Sequence, residues 1–147
     1  MKKLKICFFV SIIFLTIGAA SFLFMPIARD SSSATYKSPL LINGLVFWIS
    51  FIIGYFFVFL SNAMRKKIIK IKGKPGIAGF CSNIYATIFD FLLIISFVSL
   101  IVLLIIHQTD SDITFVVLFL LVLSINMHAM FNGKIFKTIL NKNEERK

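Results

Sequence analysis

Four long stretches of apolar side chains, almost free of charge, take up most of the 147 residues. Crossing the hydrocarbon core of a bilayer takes roughly 20 apolar residues in a helix, because each residue rises about 1.5 Å and the core is about 30 Å thick. Ile6 to Ile27, Pro39 to Ala63, Asn83 to His107 and Ile113 to Asn132 meet that length, and only the third includes a charge, Asp90. Spanning strands need about half as many residues with strict alternation, so helices fit and strands do not. The pattern predicts an all-α polytopic membrane protein: a four-transmembrane-helix bundle forming one integral-membrane domain over 1–147, with a basic loop at 64–82. Composition agrees, since 59% of residues are hydrophobic and 15% charged, against roughly a quarter charged in soluble domains. A soluble enzyme is excluded. The net charge of +10 comes from basic residues placed between the apolar runs, which points to membrane lipid and not to nucleic acid.

Short basic segments are retained in the cytoplasm, so the placement of Lys and Arg sets the orientation. Lys2, Lys3 and Lys5 precede the first span, Arg65, Lys66, Lys67, Lys70, Lys72 and Lys74 follow the second, and Lys134, Lys137, Lys142, Arg146 and Lys147 follow the fourth. The opposite side holds only Arg29 and Lys37. Both termini are therefore expected inside, in the bacterial cytoplasmic (inner) membrane. The first span with Gly18, Ala19 and Ala20 also has the look of a cleavable signal peptide, but the apolar run continues to Ile27, and an uncleaved helix is expected. Cys7 and Cys81 form no CxxC pair and lack the Cys/His spacing of a zinc site; they read as small apolar side chains.

The basic half of the 64–82 loop puts Arg65, Lys66, Lys67, Lys70, Lys72 and Lys74 beside lipid headgroups, each drawn to anionic lipid by about 1 kcal/mol. The same cluster also serves as a plain topology signal. In the second half, Pro75, Gly76 and Gly79 break helix and predict a turn or a re-entrant bend, with Ser82 or Asn83 capping the third span.

Asp90 stands out because a carboxylate within a span is costly unless it is paired, protonated or in contact with water. Asn83, Ala86 or Thr87, and Asp90 share one face of the third helix, and Asp90 lies roughly 10 Å from its inner end. Ser124, His128 and Asn132 recur every four residues on the fourth helix, which descends to the same side, so an Asp90–His128 contact is allowed. Asn126 projects from nearly the opposite face, toward the second helix or a partner chain. With Asn62, Tyr55 and Met64 on the second helix and Tyr85 on the third, these residues make an intramembrane polar cluster in the cytoplasmic half. It fits interhelical packing contacts, a proton-linked site built on Asp90 and His128, or a surface where a partner docks. The sequence offers no paired carboxylates at working spacing, no nucleophile with a base, no phosphate-cradling loop, and no cofactor or metal motif, so catalytic chemistry is not expected.

Lys74 to Asp90 (KPGIAGFCSNIYATIFD) and Asn126 to Ile139 (NMHAMFNGKIFKTI) resemble two blocks of uncharacterised small four-span bacterial membrane proteins. The matching positions are Pro75-Gly76, Ser82-Asn83, Asp90, Met127-His128 and Asn132-Gly133-Lys134, and the likeness covers about half the chain. In architecture the chain is also similar to the membrane-embedded immunity proteins that protect bacteria against pore-forming bacteriocins of the colicin type. These are short and lysine-rich, with an acidic residue in an apolar third helix. That likeness implies lateral binding to another membrane protein, as an immunity or accessory protein. The alternative is an oligomeric proton-coupled transporter or channel using Asp90 and His128.

Overall fold

A computed structural model describes residues 2–26, 38–69, 79–107 and 112–144. The elements are α1 (Lys2–Ala20), running into a short 3-10 turn (Ser21–Phe24), α2 (Ser38–Ile69), α3 (Ile84–Ile105), α4 (Asp112–Phe131) and α5 (Lys134–Glu144). Four helical stretches, Lys2–Phe24, Leu41–Lys67, Ile84–Ile105 and Asp112–Phe131, are long and apolar enough to cross a membrane. The fold is thus an all-α, four-span bundle with a fifth, short helix. Residues 70–78 and 108–111, which include Lys70, Lys72, Lys74, Pro75 and Gly76, lie outside the described residues.

Two boundaries differ from the reading of the sequence. The expected loop at 64–82 does not begin at Met64, because α2 continues to Ile69. Nothing before Gly73 breaks the helix, and Lys66 and Lys67 in the last turn complement the exposed carbonyls of a helix C-terminus. At 32 residues, α2 is about 48 Å long, so its basic end reaches past the hydrocarbon. The second difference is α5, a helix among the basic residues that follow the fourth span. Ile135, Phe136 and Ile139 recur on one side of this 11-residue helix and are buried, while Lys134 and Lys137 are exposed.

The helices pack as two antiparallel hairpins, α1 with α2 and α3 with α4, joined by α1 against α4. The order across the bundle is therefore α2, α1, α4, α3. Small residues allow the closest approach, as is usual between membrane helices. A Cβ on Gly54 would stand 2.9 Å from the Leu15 side chain and 3.3 Å from the Leu15 backbone nitrogen. The tight α4–α5 corner needs Gly133, where a Cβ would meet the Ala129 carbonyl at 2.8 Å.

The starts of α1 and α3 and the ends of α2 and α4 share one end of the bundle, and the buried core sits there: Leu4, Phe8, Met127 and Met130 with Ile135, Phe136 and Ile139 of α5. Aromatic rings tie it together. Phe8 stacks on Phe136 at 5.5 Å, Phe89 on Phe131 at 5.4 Å, and Phe131 meets Phe136 edge-on at 4.9 Å. The outer surface is apolar: Trp48, Ile52, Phe56 and Phe59 on α2 and Ile88, Phe91, Ile95 and Phe97 on α3 are exposed. Exposed apolar area of this extent is tolerated where lipid is the solvent. Several serines inside the spans bond back to their own helix, Ser11 to the Phe8 carbonyl and Ser124 to the Leu120 carbonyl, both at 2.6 Å.

Candidate functional site: a carboxylate that clips a turn onto the helix ends

The third span begins with Asn83 in an extended conformation as N-cap, its Oδ1 accepting the Ala86 N–H at 2.9 Å. The amide of the same side chain donates to the Phe131 carbonyl at 2.8 Å, in the last turn of α4. One residue thus serves an orphan N–H at the start of α3 and a carbonyl at the end of α4, groups that a helix cannot satisfy internally.

Before Asn83 the chain turns back along α3. Gly79 and Cys81 take positive φ values of +107° and +53°, the left-handed geometry of sharp reversals. This brings the Cys81 main-chain N–H to Asp90 Oδ2 at 2.5 Å. Asp90 is 1% exposed, and its other partners come from α4. His128 Nδ1 lies 2.5 Å from Oδ1, and Asn132 Nδ2 donates to Oδ1 at 3.0 Å and to Oδ2 at 3.2 Å. Asn132 is itself oriented by the turn: its Oδ1 accepts the Ser82 hydroxyl at 2.7 Å and the Ser82 N–H at 3.2 Å. The amide oxygen thus faces donors while its nitrogen faces the carboxylate.

Hydrogen bonding to an ionised carboxylate requires a proton on His128 Nδ1, in either the neutral Nδ1–H tautomer or the imidazolium. Four contacts from three groups meet the two oxygens, and bonds to a charged acceptor are the stronger kind, about 1.5–3 kcal/mol each. Phe80 covers the arrangement with its ring 4.6 Å from that of His128, yet Phe80 is 62% exposed. The result is an irregular backbone segment whose Cys81 and Ser82 N–H groups are bonded to protein, as backbone beside a membrane requires, and that presents Phe80, Cys81 and Ser82 on the surface.

Asn83, Asp90, His128 and Asn132 of the polar cluster come together in this network. The others do not. Asn126 bonds across the bundle to α2, where the Tyr55 hydroxyl donates to its Oδ1 at 2.9 Å, and its amide returns to the Val122 carbonyl at 2.7 Å. Tyr85 contributes a ring, stacked on Phe131 at 5.9 Å. Asn62 lies apart because α2 packs on α1 and not on α3. Of the cations expected at lipid headgroups, Lys66 and Lys67 are exposed, whereas Arg65 is turned inward. The spacing of polar residues does not reveal the Cys81 N–H on Asp90, Ser82 on Asn132 or Phe80 on His128. Gly79 three residues before the Ser82-Asn83 pair was the available signal for a chain reversal.

Among the described residues, no three of His, Cys, Asp and Glu stand together as a metal site requires. Compared with models of known protein families, with curated proteins and with solved structures, the chain matches none.

Proposed function

We propose that this is a multi-pass protein of the bacterial cytoplasmic membrane, with both termini inside, that acts by lateral binding to another membrane protein, as an immunity or accessory protein. The observation that carries the reading is the use of Asp90. Its two oxygens are taken up by His128, Asn132 and the Cys81 N–H, so the carboxylate holds a turn in place, and that turn offers Phe80 outward. A rigidly held aromatic side chain at the edge of an otherwise apolar surface supplies shape and specificity where lipid-like contacts discriminate little. The exposed faces of α2 and α3, at opposite edges of the bundle, provide room for helices of a partner. The one-sided basic residues support the inward placement of the termini and the turn.

The test is protection. Bacteria sensitive to pore-forming bacteriocins are given the chain and challenged with a panel of them, alongside Phe80→Ala at matched membrane abundance. The expected result is survival against a member of the panel, lost with Phe80→Ala. The proton-coupled alternative draws on the 2.5 Å contact of Asp90 with His128. Proton-driven flux in proteoliposomes that is abolished by Asp90→Asn, with no protection in cells, would replace the docking reading.

A further inference from the structure

Away from Asp90, α2 carries a polar group with atoms that nothing among the described residues engages. Ser61, Asn62 and Arg65 lie at i, i+1 and i+4, on one side of the helix, and are 0%, 8% and 5% exposed. Ser61 Oγ, Asn62 Oδ1 and Arg65 Nε are all buried without a hydrogen-bond partner. This departs from the rest of the bundle, where Ser11, Ser96, Ser124 and Asn126 bond back to their own helices. Arg65 also has no acidic partner among the described residues, where Asp90 is held by α4 and the Gly79–Asn83 turn. A guanidinium does not discharge by losing its proton. Buried and uncompensated, it lacks an anion.

We propose that Ser61, Asn62 and Arg65 form a binding site for the phosphate of an anionic lipid headgroup. The planar fork of arginine matches phosphate oxygens in pairs. The Ser61 hydroxyl is a free donor, and turning the Asn62 amide over presents its N–H groups in place of Oδ1. Depth selects lipid over a dissolved anion. Arg65 stands two residues from the end of the apolar stretch Leu41–Lys67, at headgroup level, with Lys66 and Lys67 exposed beside it to gather anionic lipid. Toward the bilayer centre, Phe59 exposes apolar surface on α2, three residues before Asn62, along which an acyl chain can lie. Met64 packs on the cluster that includes Leu4, Ile135, Phe136 and Ile139, and α5 packs against α1, α2 and α4. The phosphate is accordingly received at this end of α2, where α5 also packs.

The experiment uses the purified full chain in neutral detergent, titrated separately with phosphatidylglycerol, phosphatidylcholine and inorganic phosphate, and read by native mass spectrometry and by the thermal unfolding midpoint. Wild type is expected to retain one phosphatidylglycerol. Arg65→Met, which keeps the volume and removes the charge, should weaken that binding roughly ten- to a hundredfold, the equivalent of about one charge-assisted hydrogen bond. Ser61→Ala should weaken it less, and Lys66→Gln with Lys67→Gln should leave the single retained lipid in place. Without lipid, Arg65→Met should unfold at a higher temperature than wild type, and phosphatidylglycerol should raise the wild-type midpoint and not that of the variant. Equal phosphatidylglycerol binding by wild type and Arg65→Met overturns the site. Equal stabilisation by phosphatidylcholine or by inorganic phosphate overturns its assignment to an anionic lipid.

Discussion

Replacing Asp90 tests whether this carboxylate organises the inner end of the bundle. His128 Nδ1, the Asn132 amide and the Cys81 main-chain N–H all address it. Asp90→Leu leaves these buried donors without an acceptor. The expected cost is about 3–5 kcal/mol, the range for removing one partner from a buried charged network. Asp90→Asn keeps the shape. Its oxygen can stay with the Cys81 N–H while its amide turns to His128, which moves its proton to Nε2 and accepts at Nδ1. What is lost is mainly the charge and part of the Asn132 contact, about 1–2 kcal/mol. Unfolding in bicelles by titration with a denaturing detergent, followed by helicity, measures both. The exposed Cys81 thiol gives an independent readout, because releasing the turn should quicken its modification in the order wild type, Asn variant, Leu variant. Combined with His128→Ala, the cost of Asp90→Asn should shrink, since the two residues share one contact. A Leu variant as stable as wild type, or an Asn variant more damaged than the Leu variant, would refute the reasoning.

The bundle offers two further checks by the same unfolding assay. Tyr55→Phe removes the only interhelical partner seen for Asn126 and should cost about 0.6–1.7 kcal/mol, the scale of hydrogen bonds between membrane helices. Gly54→Ala, whose new Cβ meets Leu15, should cost about 1–3 kcal/mol by overpacking. Gly44→Ala on the same helix meets nothing within 4 Å and should be neutral or gain about 0.5–1 kcal/mol from lower backbone entropy in the unfolded chain.

Much of the site was legible from helical periodicity. Asp90 lies seven residues beyond the cap Asn83, and His128 and Asn132 are one helical turn apart on a neighbouring antiparallel helix, so the three could be placed at one depth from spacing alone. The partners from the Gly79–Asn83 turn could not, because positive φ at Cys81 is a property of the folded-back chain and leaves no mark in a non-glycine residue. Asn62 was grouped with Asp90 because it lies at the same level. Level does not specify which neighbour a helix faces, and α2 turns out to face α1. The α5 helix is legible only in part, because Ile135, Phe136 and Ile139 carry the spacing of a buried face within a short segment that has no long apolar run to mark it.

The solvent of most of the chain and the number of crossings can be read without coordinates, since both depend on runs of side chains summed along a single segment. The sequence also restricts which polar groups can share a level. The order α2, α1, α4, α3, the engagement of Asp90 by three groups, and the lack of partners for Ser61 Oγ, Asn62 Oδ1 and Arg65 Nε among the described residues emerge with the packing. In lipid no hydrophobic force selects between apolar helix faces, so neighbours are chosen by close packing and by the pairing of buried polar groups, which involve residues far apart in the chain.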